Sequence, residues 1–341
     1  MRDAINMWSM YKKKKRSKVL LATLLLTLTL GAQERIRCMS YNVENLFDYV
    51  DDPKTNDEAF LPQATRHWTR NRYWDKLQAI SSVIAMAGDD RSPDFVALCE
   101  VENDSVVYDL TRRSSLRTAR YEYLMTTSND PRGIDVALMY KPTTFRPLSY
   151  RSLRLPKEQV PEGRHVRDIL LVSGELHMGD TIDLLVCHLP SRLNGKQSEI
   201  LRHSVVEYMC RAIDSISHER TLPHIIIMGD FNDTPYSKAL RPLAEKAGMT
   251  CITESLNGSY RYKGLWEQID HVYLSPSLLH DEDTPSLHLA PQGAWNFTPE
   301  HLTEPEPRYG GHRPHRTYNG MRYEGGTSDH LPVCFDLWFR W

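Results

Sequence analysis

The hydrophobic pattern of the chain consists of short apolar runs bounded by turn-forming residues, with two longer amphipathic segments between them. Runs of this length are typical of buried strands. They predict strands at residues 36–43, 95–98, 121–125, 136–140, 169–172, 183–187, 225–228, 271–274 and 333–339. Apolar residues repeating every three to four positions predict helices at 73–87, ending at Gly88, and at 199–216. Strands interspersed with helices indicate stacked sheets flanked by helices, although periodicity does not specify the strand order.

The first 32 residues depart from this pattern. A basic block, residues 12–18, precedes an apolar run, residues 19–30, and this order is typical of a signal peptide. The run is shorter than the roughly 20 apolar residues that a membrane span needs. We therefore expect cleavage after Ala32 and export to the periplasm or out of the cell, with no stable membrane insertion. An uncleaved anchor is the alternative.

Residues 33–341 contain no internal repeat and no Gly/Ser-rich linker, which predicts a single domain. Residues 1–32 hold seven of the 42 basic residues and one of the 44 acidic residues, so the rest of the chain has a net charge of −8. An acidic protein repels polyanions unless bound cations or a local basic patch reverse the field at the contact. A phosphate-containing substrate would therefore imply bound cations.

The six cysteines form no Cys-x-x-Cys pair, which argues against a zinc site or a thioredoxin-like motif. Most of them lie within apolar strand or helix patterns, so we expect buried thiols. Export would permit disulfides, but the sequence does not specify any pairing. The six are Cys38, Cys99, Cys187, Cys210, Cys251 and Cys334.

Several of the apolar runs begin or end with polar residues of the types used in catalysis. Taken singly, a carboxylate at a strand end is more often a turn former or a helix cap. Loops at strand ends, however, bring residues that are distant in sequence to one cleft. Carboxylates, carboxamides and histidines together are the set that metal-assisted phosphate chemistry requires. The set comprises Asn42, Glu100, His188, Asp230, Asn232, Asp270, Asp329 and His330.

Four motifs in this set resemble the endonuclease/exonuclease/phosphatase family and follow the family's order along the chain. They are Met39-Ser40-Tyr41-Asn42-Val43-Glu44-Asn45-Leu46-Phe47-Asp48, Ala97-Leu98-Cys99-Glu100-Val101-Glu102-Asn103, Gly229-Asp230-Phe231-Asn232-Asp233 and Ser328-Asp329-His330-Leu331-Pro332-Val333. The resemblance implies an α/β fold, a four-layer α/β/β/α sandwich in which two mixed, mostly antiparallel sheets are flanked by helices. It also implies that residues 33–341 form a catalytic domain that hydrolyses phosphate esters.

The resemblance further implies roles for individual residues. Asn42, Glu100 and Asp329 match metal-binding positions, and such all-oxygen ligands fit Mg²⁺ or Mn²⁺. Asp230 and Asn232 match the pair that orients or deprotonates the attacking water.

Two histidines match family positions near the phosphate. Asp270 matches the carboxylate that hydrogen-bonds His330, fixing its tautomer and keeping it cationic. His188 matches a histidine that contacts the scissile phosphate or its leaving group in deoxyribonuclease-like members. We expect Asp135 to be the carboxylate partner of His188, and so to lie where substrate binds.

Substrate choice is expected to lie in the loops. Arg167 matches a family arginine that contacts substrate, and Arg192 either does the same or is a solvated loop residue. Residues 307–323 are rich in Arg, His and Tyr, and they either clamp a nucleic-acid backbone and stack on its bases or form an ordinary surface loop. Their position just before Asp329 favours contact with substrate.

The implied chemistry is in-line attack of an activated water on a phosphate ester. Our first hypothesis is a monomeric nuclease. The second is a phosphatase or a phospholipase C-type phosphodiesterase acting on a sugar phosphate, an inositol phosphate or a sphingolipid. An enzyme that acts on a sphingolipid would be expected to have an amphipathic membrane-binding segment, and the sequence shows no clear one outside the signal. A non-catalytic binding module is the third hypothesis, and the intact set of carboxylates and histidines argues against it.

Overall fold

The computed structural model describes residues 34–193, 195–279 and 286–340, so the signal peptide expected at residues 1–32 lies outside the described part of the chain. The helices are α1 Arg70–Met86, α2 Asp104–Tyr108, α3 Lys196–Glu219 and α4 Arg241–Glu245. The strands are β1 Glu34–Leu46, β2 Phe95–Val101, β3 Glu122–Met125, β4 Asp135–Tyr140, β5 Phe145–Leu153, β6 Ile169–Leu176, β7 Thr181–His188, β8 His224–Asp230, β9 Thr250–Cys251, β10 Tyr260–Tyr262, β11 Leu265–Glu267, β12 Asp270–Leu274, β13 Ser286–Asn296, β14 Thr303–Pro305, β15 His312–Pro314, β16 Tyr318–Asn319, β17 Arg322–Tyr323 and β18 Val333–Arg340. All strands and helices predicted from the apolar pattern are therefore confirmed.

Two six-stranded mixed sheets form the centre of the fold. The first has the order β13-β18-β1-β2-β4-β3, and the second has the order β5-β6-β7-β8-β12-β9. The pairs β1–β2 and β7–β8 are parallel, and the other pairs are antiparallel. The predicted pair of mixed, mostly antiparallel sheets is confirmed.

The alternation of side chains along β1 shows how the layers pack. Ile36 and Cys38 point into a core shared with the second sheet, whereas Met39 and Tyr41 pack on the other side, in the core that contains α1. A third core joins α3 to the outer face of the second sheet. Successive residues of a strand face opposite sides, so one strand serves two cores. The order of layers is helix, sheet, sheet, helix, as predicted.

The apolar pattern missed two long strands, β5 and β13, for physical reasons that the structure makes clear. Both are edge strands. Most residues of β5 between Phe145 and Leu153 are exposed, so this strand has no continuous apolar run. Strand β13 has an irregular register between Leu289 and Ala294, which interrupts its alternation.

Two further features concern the chain's chemistry and its relation to membranes. All six cysteines are free thiols, and all are buried except the half-buried Cys251, as expected from the pattern. No helix in the described ranges is long and apolar enough to cross a membrane.

The sheet pairing brings the polar strand ends together at one end of the sandwich. The parallel pairing of β7 with β8 sets His188 opposite Asp230, and the antiparallel pairing of β8 with β12 sets Asp230 opposite Asp270. In the first sheet, Asn42 pairs with Cys99, the residue before Glu100. Residues from both sheets therefore reach the same end.

Candidate active site

Asp230 joins the two sheets at this end. Its Oδ2 accepts a hydrogen bond from Nδ2 of Asn42 on β1 at 3.0 Å, and it lies 3.4 Å from Nε2 of His188 on β7. Its Oδ1 accepts from the backbone N–H of Asn232 at 2.8 Å. All of these atoms except those of Asn232 belong to buried residues. The Asn42, His188, Asp230 and Asn232 that the sequence predicted are thus brought together.

Left-handed backbone conformations are concentrated in these motifs. Glu44, Asn45, Glu100 and Asn232 all have φ between 50° and 67°. Non-glycine residues in this region are strained, and such strain is found mainly where the surrounding structure fixes a functional geometry. Gly229 has φ 147°, and a side chain there would collide with the carbonyl of Cys187 on the neighbouring strand. The turn that presents Asp230 therefore requires glycine.

His330 and Asp270 form a buried pair beside Asp230. Nδ1 of His330 lies 2.7 Å from Oδ2 of Asp270, which also accepts from Oγ of Ser259 at 2.5 Å. Nε2 of His330 lies 4.0 Å from Oδ2 of Asp230 and 3.9 Å from Oδ1 of Asp329. The pairing predicted between Asp270 and His330 is confirmed.

Opposed effects set the charge of His330. Burial alone would lower its pKa, but the carboxylates of Asp270, Asp230 and Asp329 outweigh burial and raise the pKa of His330 well above its usual value. These carboxylates therefore favour the imidazolium form of the ring, in which Nδ1–H donates to Asp270.

The pKa values of His188 and Asp230 both shift in the direction that disfavours the charged form. Burial, reinforced by the charges of Arg167 and Arg132, lowers the pKa of His188 well below its usual value. Burial, followed by the Asp270 charge, raises the pKa of Asp230 to about 7. His188 faces Oδ2 of Asp230 with its Nε2, at 3.4 Å. Its Nδ1 is buried and has no hydrogen-bond partner among the described residues.

Two carboxylates keep oxygen atoms available for a divalent cation. Oε2 of Glu100 accepts from the backbone N–H of Asn45 at 2.8 Å, while its Oε1 faces Nε2 of His188 at 3.8 Å. Oδ2 of Asp329 accepts from Arg316 at 2.6 Å, and its Oδ1 makes no bond shorter than the 3.9 Å approach to His330 in the described structure. Carboxylate oxygens suit Mg²⁺ and Mn²⁺, so Glu100 and Asp329 fit such an ion.

The third predicted ligand, Asn42, is more constrained. Its Oδ1 accepts from the backbone N–H of Glu44 at 3.0 Å, while its Nδ2 donates to Asp230. The second lone pair of Oδ1 is the one left for a cation. Ligand atoms of Asp230, Asp270 and His330 also lie within 4.8 Å of one another. Because His330 is bonded to Asp270, we interpret that group as a hydrogen-bonded relay rather than as the cation site.

Asp135 does not pair with His188, and this expectation is wrong. Its carboxylate accepts from Oγ1 of Thr126 at 2.6 Å and from the backbone N–H of Ser128 at 3.0 and 3.1 Å. These bonds hold the turn that follows β3. The residue lies at the start of β4, where its neighbours in the turn use both of its oxygens.

The two arginines that the sequence singled out are both held by carboxylates. Arg167 donates Nη1 to the carbonyl oxygen of His188 at 3.2 Å, and its Nε lies 2.9 Å from Oδ2 of Asp130. Arg192 is bidentate to Glu267, at 2.9 and 2.5 Å. Arg167 is therefore next to the site, whereas Arg192 is used in a surface ion pair at its rim.

Arg132 is a site residue that sequence reasoning missed. Its Nη2 lies 4.0 Å from Oε1 of Glu100, its Nε lies 4.0 Å from Oδ1 of Asp130, and nearly half of its side chain is exposed. Both distances exceed hydrogen-bond length. The turn that carries it is rigid, because Oδ1 and the carbonyl of Asp130 accept from the N–H groups of Arg132 and Gly133. The one sequence feature that could have indicated this arginine is the turn-forming Gly133 that follows it.

A buried lysine behind the site was also missed, because it lies within the apolar pattern of α1. Nζ of Lys76 donates to the carbonyl oxygen of Glu44 and to Oγ1 of Thr317. The carboxylate of Glu44 accepts the N–H of Thr317 at 2.6 Å. These bonds attach the segment containing Arg316, and hence its contact with Asp329, to β1 and α1.

The arginines of residues 307–323 are largely neutralised. Arg313 pairs with Glu304 at 2.8 Å, Arg316 pairs with Asp329 at 2.6 Å and Arg322 lies 3.5 Å from Glu324. Arg308 packs on the ring of Tyr309. The segment therefore presents less free positive charge than its composition suggests.

A cluster of Asp, Asn, Glu and His side chains at the shared end of two sheets is typical of a phosphoester hydrolase. Residues 37–338 match the model of the endonuclease/exonuclease/phosphatase family. The chain belongs to this family, whose members are hydrolases that act on phosphoester bonds and generally depend on divalent metals. The family membership inferred from the motifs is confirmed.

Three solved structures with the same fold are 15 to 16% identical to this chain. A mannosyl-6-phosphatase from Bacteroides thetaiotaomicron is 16% identical, with 89% of this chain and 99% of that chain covered and a TM-score of 0.58. D. rerio TDP2, complexed with a single-strand DNA product, is 16% identical over 89% and 99% of the two chains, with a TM-score of 0.55. The human nocturnin catalytic domain, with a bound sulfate anion, is 15% identical over 91% and 96%, with a TM-score of 0.55. No curated protein matches the sequence.

Proposed function

We propose that the protein is a divalent-metal-dependent phosphoesterase that hydrolyses its substrate with an activated water. The supporting observation is the convergence on Asp230. Oδ2 of Asp230 lies 3.0 Å from Nδ2 of Asn42 and 3.4 Å from Nε2 of His188. Oε1 of Glu100 lies 3.8 Å from the same His188 nitrogen, so these groups surround one small region. Hydrogen-bond donors and a free carboxylate oxygen there suit a phosphoryl group and its cation.

Each residue of this cluster has a role that its bonds allow. Asp230 accepts a proton from the attacking water, and its bonds from Asn42 and Asn232 hold the carboxylate in place. His330, kept cationic by Asp270, and the neutral His188 donate hydrogen bonds to oxygens on which negative charge develops. Glu100, Asp329 and the remaining lone pair of Asn42 would hold Mg²⁺ or Mn²⁺. When bound, the ion neutralises the phosphate oxygens and assists departure of the leaving oxygen.

We further propose that the substrate is a short phosphate ester rather than a long nucleic acid. A polyanionic backbone is bound through many free Lys and Arg side chains. Here Arg167, Arg192, Arg313 and Arg316 each face a carboxylate, and residues 33–341 carry a net charge of −8. This pairing lowers the ranking of the nuclease hypothesis below that of the phosphatase hypothesis.

Names of fold relatives are compatible with either substrate class. The Bacteroides relative is described as a mannosyl-6-phosphatase, which supports a sugar phosphate, and the D. rerio relative carries a DNA product, which supports a nuclease. The nuclease remains the second candidate, because segment 307–323 ends beside Asp329 and carries the partly exposed ring of Tyr309.

A substrate panel with matched variants tests the proposal. The protein lacking residues 1–32 is assayed with Mg²⁺ or Mn²⁺ on p-nitrophenyl phosphate, bis(p-nitrophenyl) phosphate, mannose 6-phosphate, a sphingomyelin vesicle and plasmid DNA. We expect turnover of a short ester, abolished by EDTA and by Glu100→Gln. Faster hydrolysis of DNA than of every short ester would favour the nuclease. If no compound of the panel is hydrolysed, the hypothesis of a non-catalytic binding module remains.

Export of the protein is part of the same proposal. The basic block and the apolar run of residues 12–30 support it. Fractionation of the producing cell, followed by N-terminal sequencing, should find the protein outside the cytoplasm and beginning near Gln33. A cytoplasmic protein that retains residues 1–32 would contradict export.

A further inference from the structure

Two cations without a carboxylate partner lie in the segment between β5 and β6. Among the described residues, the side chain of Lys157 makes no ion pair or hydrogen bond, and it is exposed. Arg164 is half-buried, and its guanidinium donates only to Oγ of Ser198, at 3.0 Å. Neither cation is neutralised by a carboxylate, in contrast to Arg167 and Arg192 at the active site.

These two cations line a cavity of about 390 Å³. Leu155, Val160 and Val166 give it an apolar wall, and Glu162 is the one carboxylate among its described lining residues. A concave site of several hundred Å³ with an apolar wall and a few polar groups is the usual form of a small-molecule pocket. The cavity therefore suits an organic group that carries negative charge.

The cavity is connected to the active site through two pairs of chain neighbours. Asn129 and Val166 line the cavity, and their chain neighbours Asp130 and Arg167 form the 2.9 Å pair described above. The same Arg167 donates to the carbonyl oxygen of His188. The segment that lines the cavity thus continues into Arg167, which contacts a histidine of the catalytic cluster, and this connection places the cavity near the active site.

Arg154 also lines the cavity, but its guanidinium is already used. It is bonded to both oxygens of Asp168, at 2.8 to 3.1 Å, and to the carbonyl oxygen of Thr127 at 2.9 Å. Its role is to hold the loops on either side of the cavity. Lys157 and Arg164 are the side chains left to bind an anion.

We propose that this cavity is a second anion subsite, in which Lys157 and Arg164 bind another phosphate group of the substrate while its organic part packs on Leu155 and Val160. The inference rests on the proposed function, since it places the scissile phosphate beside His188 and Asp230. It specifies the substrate class as a short ester that carries a phosphate group in addition to the scissile one.

Two chromogenic esters that differ by one phosphate group test the subsite. They are the p-nitrophenyl ester of thymidine 5′-phosphate and the same compound with a 3′-phosphate, with p-nitrophenyl phosphate as the basal substrate. The wild-type protein is compared with K157Q/R164Q. The control is R308Q/R322Q, which removes the same charge from exposed positions in residues 307–323.

The expected result is a kcat/KM at least about tenfold higher for the 3′-phosphorylated ester in the wild type, since tenfold is a modest effect for two cations on one phosphate. K157Q/R164Q should lose this advantage through KM and keep its rate on p-nitrophenyl phosphate, while R308Q/R322Q keeps the advantage. Equal kcat/KM values for the two esters in the wild type, or loss of the advantage in R308Q/R322Q instead, would overturn the subsite.

Failure of the proposed function gives a different result. If the wild type hydrolyses none of the three compounds, the catalytic proposal fails, and calorimetric binding decides the subsite separately. Thymidine 3′,5′-bisphosphate should then bind about tenfold more tightly than thymidine 5′-phosphate in the wild type and equally in K157Q/R164Q. Equal affinities in the wild type would contradict the subsite on its own terms.

Discussion

Replacement of Asp270 with asparagine tests the charge relay at the centre of the proposed mechanism. Oδ2 of Asp270 lies 2.7 Å from Nδ1 of His330 and 2.5 Å from Oγ of Ser259, and the side chain is 1% exposed. Asparagine keeps the shape and an acceptor oxygen but removes the negative charge. We expect His330 to lose part of the stabilisation of its imidazolium form.

The magnitude follows from the type of hydrogen bond. A bond to a charged group contributes about 1.5 to 3 kcal/mol and a neutral bond about 1 kcal/mol, so the substitution should cost about 1 to 2 kcal/mol. If His330 stabilises charge in the transition state, kcat falls by about 5- to 30-fold. The assay is hydrolysis of p-nitrophenyl phosphate and bis(p-nitrophenyl) phosphate with Mg²⁺, with urea unfolding of the same samples.

A second buried aspartate provides the control. Asp183 also lies on the second sheet, is fully buried and is bonded to Arg220 at 3.1 and 3.2 Å. Asp183→Asn should reduce the free energy of unfolding and leave kcat unchanged. The reasoning is refuted if Asp270→Asn keeps kcat within about twofold of the wild type, or if Asp183→Asn lowers kcat to the same extent.

Three further predictions concern other parts of the site and its support. Arg132→Gln should raise KM for short phosphate esters by about tenfold, because its half-exposed guanidinium lies 4.0 Å from Glu100, beyond hydrogen-bond length; an unchanged KM would remove it from the substrate site. Glu100→Gln should weaken Mg²⁺ or Mn²⁺ binding by at least about tenfold in calorimetry, and wild-type affinity would rule Glu100 out as a ligand. His271, whose pKa burial lowers to about 4 from 6.5, should make the fold less stable as pH falls from 6.5 towards 4. The free energy of unfolding should fall by about 2 to 3 kcal/mol by pH 4.5, because the unfolded chain binds the proton more readily. In urea unfolding, the wild type should lose that much more stability than His271→Gln between pH 7.5 and pH 4.5. Equal losses in the two proteins would contradict the assignment to His271.

The sequence alone predicted the features that depend on local pattern. Strand β8 is buried on both faces and contains a continuous apolar run, and Asp230 follows from its position at the end of that run. Strand β1 is equally buried, but Arg37, Ser40 and Asn42 interrupt its apolar residues. The Asp270–His330 bond joins residues 60 positions apart, and it was predicted because both lie in recognisable motifs. Contacts between motif residues can therefore be predicted when the strands that position the motifs are recognisable in the sequence.

Pairings between residues outside the motifs were decided only by the tertiary structure. Arg192 meets Glu267 across 75 positions, Lys76 meets Thr317 across 241, and Asp135 bonds to its own turn instead of His188. An ion pair or hydrogen bond depends on distances of a few ångströms between side chains, and neither composition nor periodicity encodes those distances. The sequence therefore determined the fold class and the candidate catalytic set, whereas the packing of loops decided which cations are paired with carboxylates and which are not.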